Sequence, residues 1–182
     1  MADLAEVEKP TDLPDTELRI VKASQQDSAD LDRIVRDSFC GYRNHYSHNP
    51  DLEEFHLIPA YQEWAQSCLL ERNKTCFLFF SSDVLCGFFA AQTTGPVYRG
   101  LLSGVTPNYR EKGVFREIIR AIKLAFLADR AFRLVTSVLL ENRAVHKVLL
   151  DEGFTTTNSF FTVHVNLRVS YKNPTNAISL CN

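Results

Sequence analysis

The sequence has little of what marks several common classes of protein. Its five cysteines include no C-x-x-C pair and no associated histidine cluster, which argues against a zinc site or a thioredoxin-like motif. Their odd number and irregular spacing, without a secretory leader, predict reduced thiols and a cytoplasmic protein. The longest apolar runs fall far short of the roughly 20 residues that cross a membrane as a helix. A formal net charge of −2 gives no basis for binding nucleic acid or an anionic membrane through bulk charge.

What the sequence does contain indicates one globular unit. A chain of 182 residues with 45% hydrophobic residues can bury one core and is short for two. Residues 1–17 are acidic and carry two prolines, so they predict a flexible lead-in. We expect a single domain over residues 18–168 and a polar C-terminal tail over residues 169–182.

The spacing of apolar residues predicts the order β-α-α-β-β-β-α-β-α-β. Apolar residues recur at helical spacing over 27–39, 59–72, 113–129 and 142–153. Strand-like runs cover 18–23, 75–82, 84–94, 97–107, 132–140 and 159–167. The three runs between residues 75 and 107 are joined by short turns, which favours an antiparallel meander. The last run, 159–167, is expected to close the sheet.

The stretch "NYREKGVFREIIR", residues 108–120, places a glycine and several bases where a helix begins. Between residues 110 and 147 the chain has nine basic and four acidic side chains, although it is acidic as a whole. Free amides at a helix start carry partial positive charge, and Gly113 lets an anion approach the backbone closely. This pattern predicts a pyrophosphate site. A glycine in a turn beside a solvated basic helix face is the alternative reading.

Two segments in this context resemble the Gcn5-related N-acetyltransferase (GNAT) superfamily over roughly residues 18–167. They are "VTPNYREKGVF" (105–115) and "LENRAVHKVLLDEGF" (140–154). The family's pyrophosphate loop reads Q/R-x-x-G-x-G/A; here Arg110 and Gly113 match, and Phe115 replaces the final small residue. The resemblance implies an α/β fold of the α+β type, with a mixed, mostly antiparallel central sheet and helices on both faces. It also implies acetyl-CoA as cosubstrate and no metal.

The resemblance assigns the coenzyme site to the end of the fourth strand and the two helix starts that follow. The implied contacts are Gly104, Val105, Arg110, Lys112, Gly113, Val114, Phe115, Arg116, Asn142 and His146. Leu149 stands where many members have the tyrosine that protonates the leaving thiolate. A free thiol has a pKa of about 8.5, so CoA can depart as thiolate near neutral pH without that residue.

Acyl transfer to an amine also needs a group that accepts the ammonium proton. Imidazoles titrate near pH 6.5, so a neutral histidine suits this role. The catalytic candidates are His45 and His164, with Asn142 as a third residue, although a surface or structural role stays open for each histidine. Asn142 fits the N-cap of a helix equally well.

Residues 44–69 are similar to the loop and helix of GNAT enzymes that acetylate nucleotide-linked amino-deoxysugars, such as TDP-fucosamine acetyltransferase. The resemblance matches Asn44, His45, Tyr46 and Trp64, and we expect these residues, together with Arg43 and His48, to contact the acceptor. Aromatic faces suit a sugar ring and basic side chains suit a diphosphate. The alternative for Trp64 is a core-facing position on its helix.

The sequence therefore predicts an acetyl-CoA-dependent N-acetyltransferase for a small-molecule amine, with a nucleotide sugar as the leading acceptor. Neither nucleic acid nor a membrane is an expected partner, and a homodimer is left open. Acetylation of another small amine or of a peptide amine is the competing enzymatic reading. The alternative that is not an enzyme is a module that binds acyl-CoA without catalysis.

Overall fold

The computed structural model describes residues 18–44, 46, 49, 57–163 and 165. The predicted site residues His45, His48 and His164 lie outside the described residues, as do the lead-in and the tail.

A five-stranded sheet forms the centre of the fold. Its strands are β1 (Arg19–Lys22), β2 (Lys74–Ser81), β3 (Val84–Thr94), β4 (Val97–Val105) and β5 (Arg133–Val135), and they lie in that order across the sheet. Neighbours from β1 to β4 are antiparallel, whereas β5 pairs with β4 in parallel. The predicted meander and the mixed, mostly antiparallel sheet are confirmed.

The described residues also form four α-helices: α1 (Ser28–Phe39), α2 (Leu57–Leu70), α3 (Val114–Ala128) and α4 (Arg143–Asp151). In α1 the buried residues are Leu31, Ile34, Val35 and Ser38, the spacing of one helical face that the sequence predicts. Gly153 follows α4 with φ +85°, a backbone conformation that glycine adopts without steric cost and that ends many helices.

The strand side chains divide between two cores because neighbours along a strand point to opposite faces of the sheet. In β3, Phe88 and Ala90 pack in the cluster formed with α1 and α2. Phe89 and Ala91 pack in the cluster formed with α3 and α4. Helices therefore cover both faces of the sheet, as predicted.

Strand β5 is shorter than the predicted run 132–140. It pairs with β4 at three positions, of which Arg99↔Val135 is the last. Just beyond, β4 has a bulge: Ala91 pairs with Gly100 and Ala90 with Leu102, so Leu101 is an extra residue. A bulge bends its strand and increases the local twist. Pairing between β4 and β5 stops at this point, and residues 136–139 continue without regular secondary structure.

The predicted last strand, 159–167, is wrong over its described part. Residues 159–163 and 165 have no regular secondary structure, and Phe161 is 97% exposed. The alternation of apolar residues that suggested a strand is present, but a strand also needs a hydrogen-bonded neighbour. In the described part of the chain the sheet ends at β5.

Candidate active site

The loop after β4 is anchored by Arg110. Its Nε donates to the Val105 carbonyl at 3.2 Å, and its Nη2 donates to the Ser38 carbonyl at 2.8 Å. One guanidinium thus joins the end of β4 to the end of α1. These contacts fix a positive charge beside the C-terminal end of β4, where the sequence predicts coenzyme contacts.

The start of α3 has the geometry of an anion site. Gly113 is the N-cap with φ +80°, a left-handed conformation that favours glycine. Among the described residues, apart from Gly113 and its two chain neighbours, no heavy atom lies within 4 Å of the position that a Cβ on Gly113 would occupy. The first amides of a helix have no acceptor within the helix, and the Glu117 amide begins the ladder by donating to the Gly113 carbonyl at 3.2 Å. The open backbone around residues 113–116 therefore fits a pyrophosphate.

Several bases of α3 are already paired with acids of α4. The Glu152 carboxylate accepts from Arg120 at 3.0 Å and lies 3.6 Å from Arg116, with its side chain only 8% exposed. Arg116 also donates to Asp151 at 2.6 Å, and Lys123 donates to the Glu152 carbonyl at 2.7 Å. These pairs hold α3 against α4 and offset part of the basic excess. An anion at Gly113 would rely more on backbone amides than on these side chains.

Asn142 precedes α4 and caps it. Its Oδ1 accepts from the Val145 amide at 3.3 Å. Burial raises the pKa of Tyr42, and the nearby Asn142 side chain acts in the opposite direction. The segment after α1 therefore lies near the start of α4.

The end of α1 also packs directly on β4. A Cβ built on Gly104 would lie 2.5 Å from the Ser38 Cβ, so only glycine permits this approach. We use the term "split" for the region between residues 100–105 of β4 and residues 136–142, where the two segments no longer pair. Ser38 brings the end of α1 to the β4 side of the split.

Aromatic side chains organise the segment between α1 and α2. The Phe39 ring stacks on Tyr61 at 4.3 Å and meets Tyr42 edge-on at 5.4 Å. Asn44 is 3% exposed; its Nδ2 donates to the Tyr61 hydroxyl at 2.7 Å, and its Oδ1 accepts from the Tyr46 amide at 2.8 Å. Asn44 thus orders the segment from inside.

Three other predicted acceptor residues of this region, Arg43, Tyr46 and Trp64, are exposed. Tyr46 is 39% exposed, and Arg43 is exposed as well. Trp64 is 41% exposed, so the core-facing alternative does not hold for it. Their exposure leaves all three able to contact a ligand.

Other predicted coenzyme residues lie around the start of α3 and on α4. Phe115 is partly buried against the α3–α4 core, and Lys112 Nζ lies 5.9 Å from the Tyr109 ring centroid. His146 is half-buried, with Nε2 3.5 Å from Thr156 Oγ1. Leu149 is buried in the core and takes no part in the split.

Two features of the site were missed from the sequence. Gly100 inside a strand pattern is a known signal for a bulge, and it precedes the extra residue Leu101. The packing of Ser38 on Gly104 carried no comparable signal, since the two residues are far apart in the sequence.

Comparison with family models and with curated proteins finds no match to this chain. Solved structures do match. The aminoglycoside N-acetyltransferase AAC(6')-Iy in complex with CoA superposes with a TM-score of 0.61 and 16% identity, covering 84% of this chain and 97% of that one. A ribosomal-protein alanine N-acetyltransferase from Escherichia coli gives 0.61 and 13%, covering 78% and 80%. The chain has the GNAT fold.

A third GNAT-fold structure, the PaiA N-acetyltransferase from Thermoplasma acidophilum in complex with coenzyme A, gives a TM-score of 0.60 and 15% identity. It covers 79% of this chain and 93% of its own. In the described part of this chain the split lies between the last two strands of the sheet, and the β4–α3 junction follows it. Identities of this size establish the architecture alone.

Three further properties bear on the chemistry available to this GNAT fold. Among the described residues, no group of three or more His, Cys, Asp and Glu side chains is arranged to hold a metal ion. Cys40, Cys68, Cys76 and Cys86 are free thiols. No helix within the described ranges is both long and apolar enough to cross a membrane.

Proposed function

We propose that the protein is an N-acetyltransferase that moves the acetyl group of acetyl-CoA to a primary amine. The observation that carries this proposal is the β4–α3 junction: a strand that parts from its neighbour leads, within eight residues, into a left-handed glycine and an open helix start. The split would receive the two reactants, and the helix start beyond it would bind the anionic part of the coenzyme.

The chain's own residues suit CoA in charge and shape. Acetyl-CoA supplies an activated acetyl group as a thioester. The amides of residues 114–116 and the Lys112 ammonium would hold its pyrophosphate, since helix starts bind phosphates through free N–H groups. The edge of β4 at Gly104 and Val105 faces the split, where it would hold the pantetheine arm through backbone hydrogen bonds.

Catalysis would then depend on donors for the thioester oxygen and on a proton acceptor. A backbone amide near Val105 that is held in place before reaction can lower such a barrier by roughly 3 kcal/mol. His45 and His164 are the proposed acceptors of the ammonium proton, because a neutral imidazole takes a proton at cellular pH. Asn142 would act by holding the start of α4 in place.

The acceptor that we propose first is the amine of a nucleotide-linked amino-deoxysugar. Tyr46 and Trp64 offer exposed aromatic faces for a sugar ring or a base. Arg43 offers an exposed guanidinium for the diphosphate, assisted by His45 and His48. Asn44 would act from inside by ordering the segment that presents them.

A second candidate acceptor is the amine of an aminoglycoside. Several of the matching structures are aminoglycoside N-acetyltransferases, including one in complex with sisomicin. Both candidates are amino sugars, but an aminoglycoside is a polycation whereas a nucleotide sugar is an anion. A positive charge at Arg43 therefore favours the nucleotide sugar, whereas an aminoglycoside would bind better beside negative charge.

Release of free thiol from acetyl-CoA tests the proposal and separates these acceptors. The panel would contain dTDP-fucosamine, an aminoglycoside, spermidine and a peptide with a free amino terminus. We expect turnover with dTDP-fucosamine. Turnover confined to the peptide would refute the sugar proposal, and CoA binding without any turnover would favour a binding module. If CoA neither binds nor raises the melting temperature, the coenzyme proposal is wrong.

A further inference from the structure

The Arg110 guanidinium binds two main-chain carbonyls that belong to different elements. Its Nε donates to the Val105 carbonyl at 3.2 Å, and its Nη2 donates to the Ser38 carbonyl at 2.8 Å. Ser38 lies in the last turn of α1, where carbonyls have no partner within the helix and a nearby cation is favourable. Among the described residues no carboxylate pairs with Arg110, whereas Arg116 and Arg120 both pair with acids. Two carbonyl dipoles, rather than an acid, therefore hold this charge in place.

The backbone of Val105 faces the split. In an antiparallel pair of strands, the N–H and C=O groups of successive residues point alternately to the two sides of the strand. The Thr106 amide donates to the Cys86 carbonyl at 3.0 Å, so residue 106 points toward the β3 side. Val105, which lies opposite Gly87, is the residue before it. The N–H and C=O of Val105 therefore point away from β3, to the side on which β5 pairs with β4 nearer the start of that strand.

An unbound carbonyl on this side of β4 would oppose the proposed reaction. When the amine attacks the thioester, negative charge develops on the thioester oxygen, and a fixed N–H near Val105 is the proposed donor to it. The Val105 oxygen carries partial negative charge on the same side of the strand and would repel the developing charge. Arg110 binds that oxygen with a charged donor, and such hydrogen bonds are roughly twice as strong as neutral ones.

We propose that Arg110 is a positioning residue for acetyl transfer rather than a contact of the pyrophosphate. This inference rests on the proposed function. Arg110 holds the Val105 carbonyl and leaves the Val105 N–H as the group that meets the developing charge. Its bond to Ser38 fixes the end of α1, and with it the segment that carries the predicted acceptor contacts, to the same point of β4.

The guanidinium takes no part in the transfer of bonds or protons. The amine nitrogen forms the new bond to the carbonyl carbon, and the carbon–sulfur bond breaks with its electron pair going to sulfur. The surplus proton of the nitrogen goes to the proposed base or to solvent, and Arg110 keeps its own protons. Its effect is therefore on the placement of the reactants and on the charge around the thioester oxygen.

The infrared stretching frequency of the thioester carbonyl in bound acetyl-CoA tests the proposal without any acceptor amine. Acetyl-CoA with a heavy isotope at that carbonyl carbon separates its band from those of the protein. A hydrogen bond to the oxygen weakens the C=O bond and lowers the frequency. We expect wild-type protein to lower the frequency below its value in water, and Arg110→Met to return it toward that value. The affinity for acetyl-CoA, measured by calorimetry, should change by less than about twofold.

Lys112→Met is the matched control, because it removes the same charge from the same loop and leaves both carbonyl contacts of Arg110 in place. Lys112 is a proposed pyrophosphate contact, so its loss should weaken binding of acetyl-CoA without moving the frequency of the bound carbonyl. Arg110→Lys keeps the charge but lacks the planar fork of donors, so its frequency should fall between those of the wild type and Arg110→Met. The lysine variant takes the place of Arg110→Met in every comparison if melting curves show that the methionine variant does not fold.

Steady-state rates give a second measurement, with the best amine of the panel as acceptor. Arg110→Met should lower kcat on the order of 10²-fold, the cost of a misplacement of about 1 Å at a reacting centre. The Michaelis constant for acetyl-CoA should stay close to that of the wild type, because the positioning acts in the transition state rather than on binding.

The outcomes separate the two proposals. If wild-type protein does not bind acetyl-CoA, the proposed function fails and this inference fails with it. If acetyl-CoA binds but Arg110→Met weakens its binding as Lys112→Met does, with the carbonyl frequency unchanged, then Arg110 contacts the pyrophosphate. In that case the inference is wrong while the coenzyme site stands.

Discussion

Ser38 and Gly104 are in contact so close that no Cβ fits between them. A Cβ on Gly104 would lie 2.5 Å from Ser38 Cβ and 2.8 Å from its Oγ. Two small residues thus let α1 approach β4 at the point where β4 and β5 part. The position of the acceptor segment, which follows α1, depends on this contact.

Gly104→Ala should therefore destabilise the fold by about 1–3 kcal/mol, the usual cost of overpacking a filled core. Chemical denaturation measures the loss. Ser38→Gly removes the Cβ that the new methyl meets, so the double variant should recover part of the stability. Additive effects of the two substitutions would mean that the helix and the strand do not meet as described.

Gly113→Glu should weaken binding of CoA by about tenfold or more, because it places a negative charge at the start of α3 beside a pyrophosphate. Calorimetric titration with CoA measures the affinity. Gly153→Glu is the control, since Gly153 also has a left-handed φ, of +85°, and open space around its Cβ position. It carries the same backbone strain away from α3's start. Equal affinities of the two variants for CoA would contradict the proposed pyrophosphate site at the start of α3.

The start of α3 could be predicted because its cause is local. A glycine that must adopt a positive φ, followed by apolar residues at helical spacing, identifies a helix start in sequence alone, and Gly113 is the observed N-cap. The cap of α4 at Asn142 is local in the same sense. Such features depend on a few neighbouring residues, so the fold has them where the sequence predicts them.

Glu152→Gln should destabilise the protein, because Arg116, Arg120 and Lys123 all lie within 4 Å of that one carboxylate. The expected cost is about 1–3 kcal/mol, since the neutral amide loses the charge attraction to three cations, each of which keeps one other partner. Asp151→Asn is the exposed comparison and should cost less. A Glu152→Gln variant as stable as the wild type would show that these pairs do not hold α3 to α4.

His45→Ala and His164→Ala test the proposed proton acceptors. Loss of the true base should lower turnover by roughly 10²- to 10⁴-fold and remove the acidic limb of the pH–rate profile near pH 6.5. Steady-state rates across pH measure both effects. A histidine whose replacement leaves the profile as in the wild type is not the base.

Long-range features were the part that the sequence could not supply. The hydrogen bond from Arg110 to the Ser38 carbonyl joins residues 72 positions apart, and no local sequence pattern predicts it. The run 159–167 shows the opposite limit: its alternation predicts a strand, yet pairing needs a partner that no local pattern provides. Strand β5 ends early for the same reason, because its length depends on the bulge in β4.

The most direct test of the proposed pyrophosphate site at the start of α3 is amide hydrogen exchange with and without acetyl-CoA. The amides of residues 114–116 have no acceptor within α3, so they should exchange quickly in the free protein and slow markedly when the pyrophosphate accepts from them. The Val145 amide, which Asn142 already caps, should change less. Slowed exchange at residues 114–116 would support the account. Tight binding of acetyl-CoA with no change at these amides would contradict it.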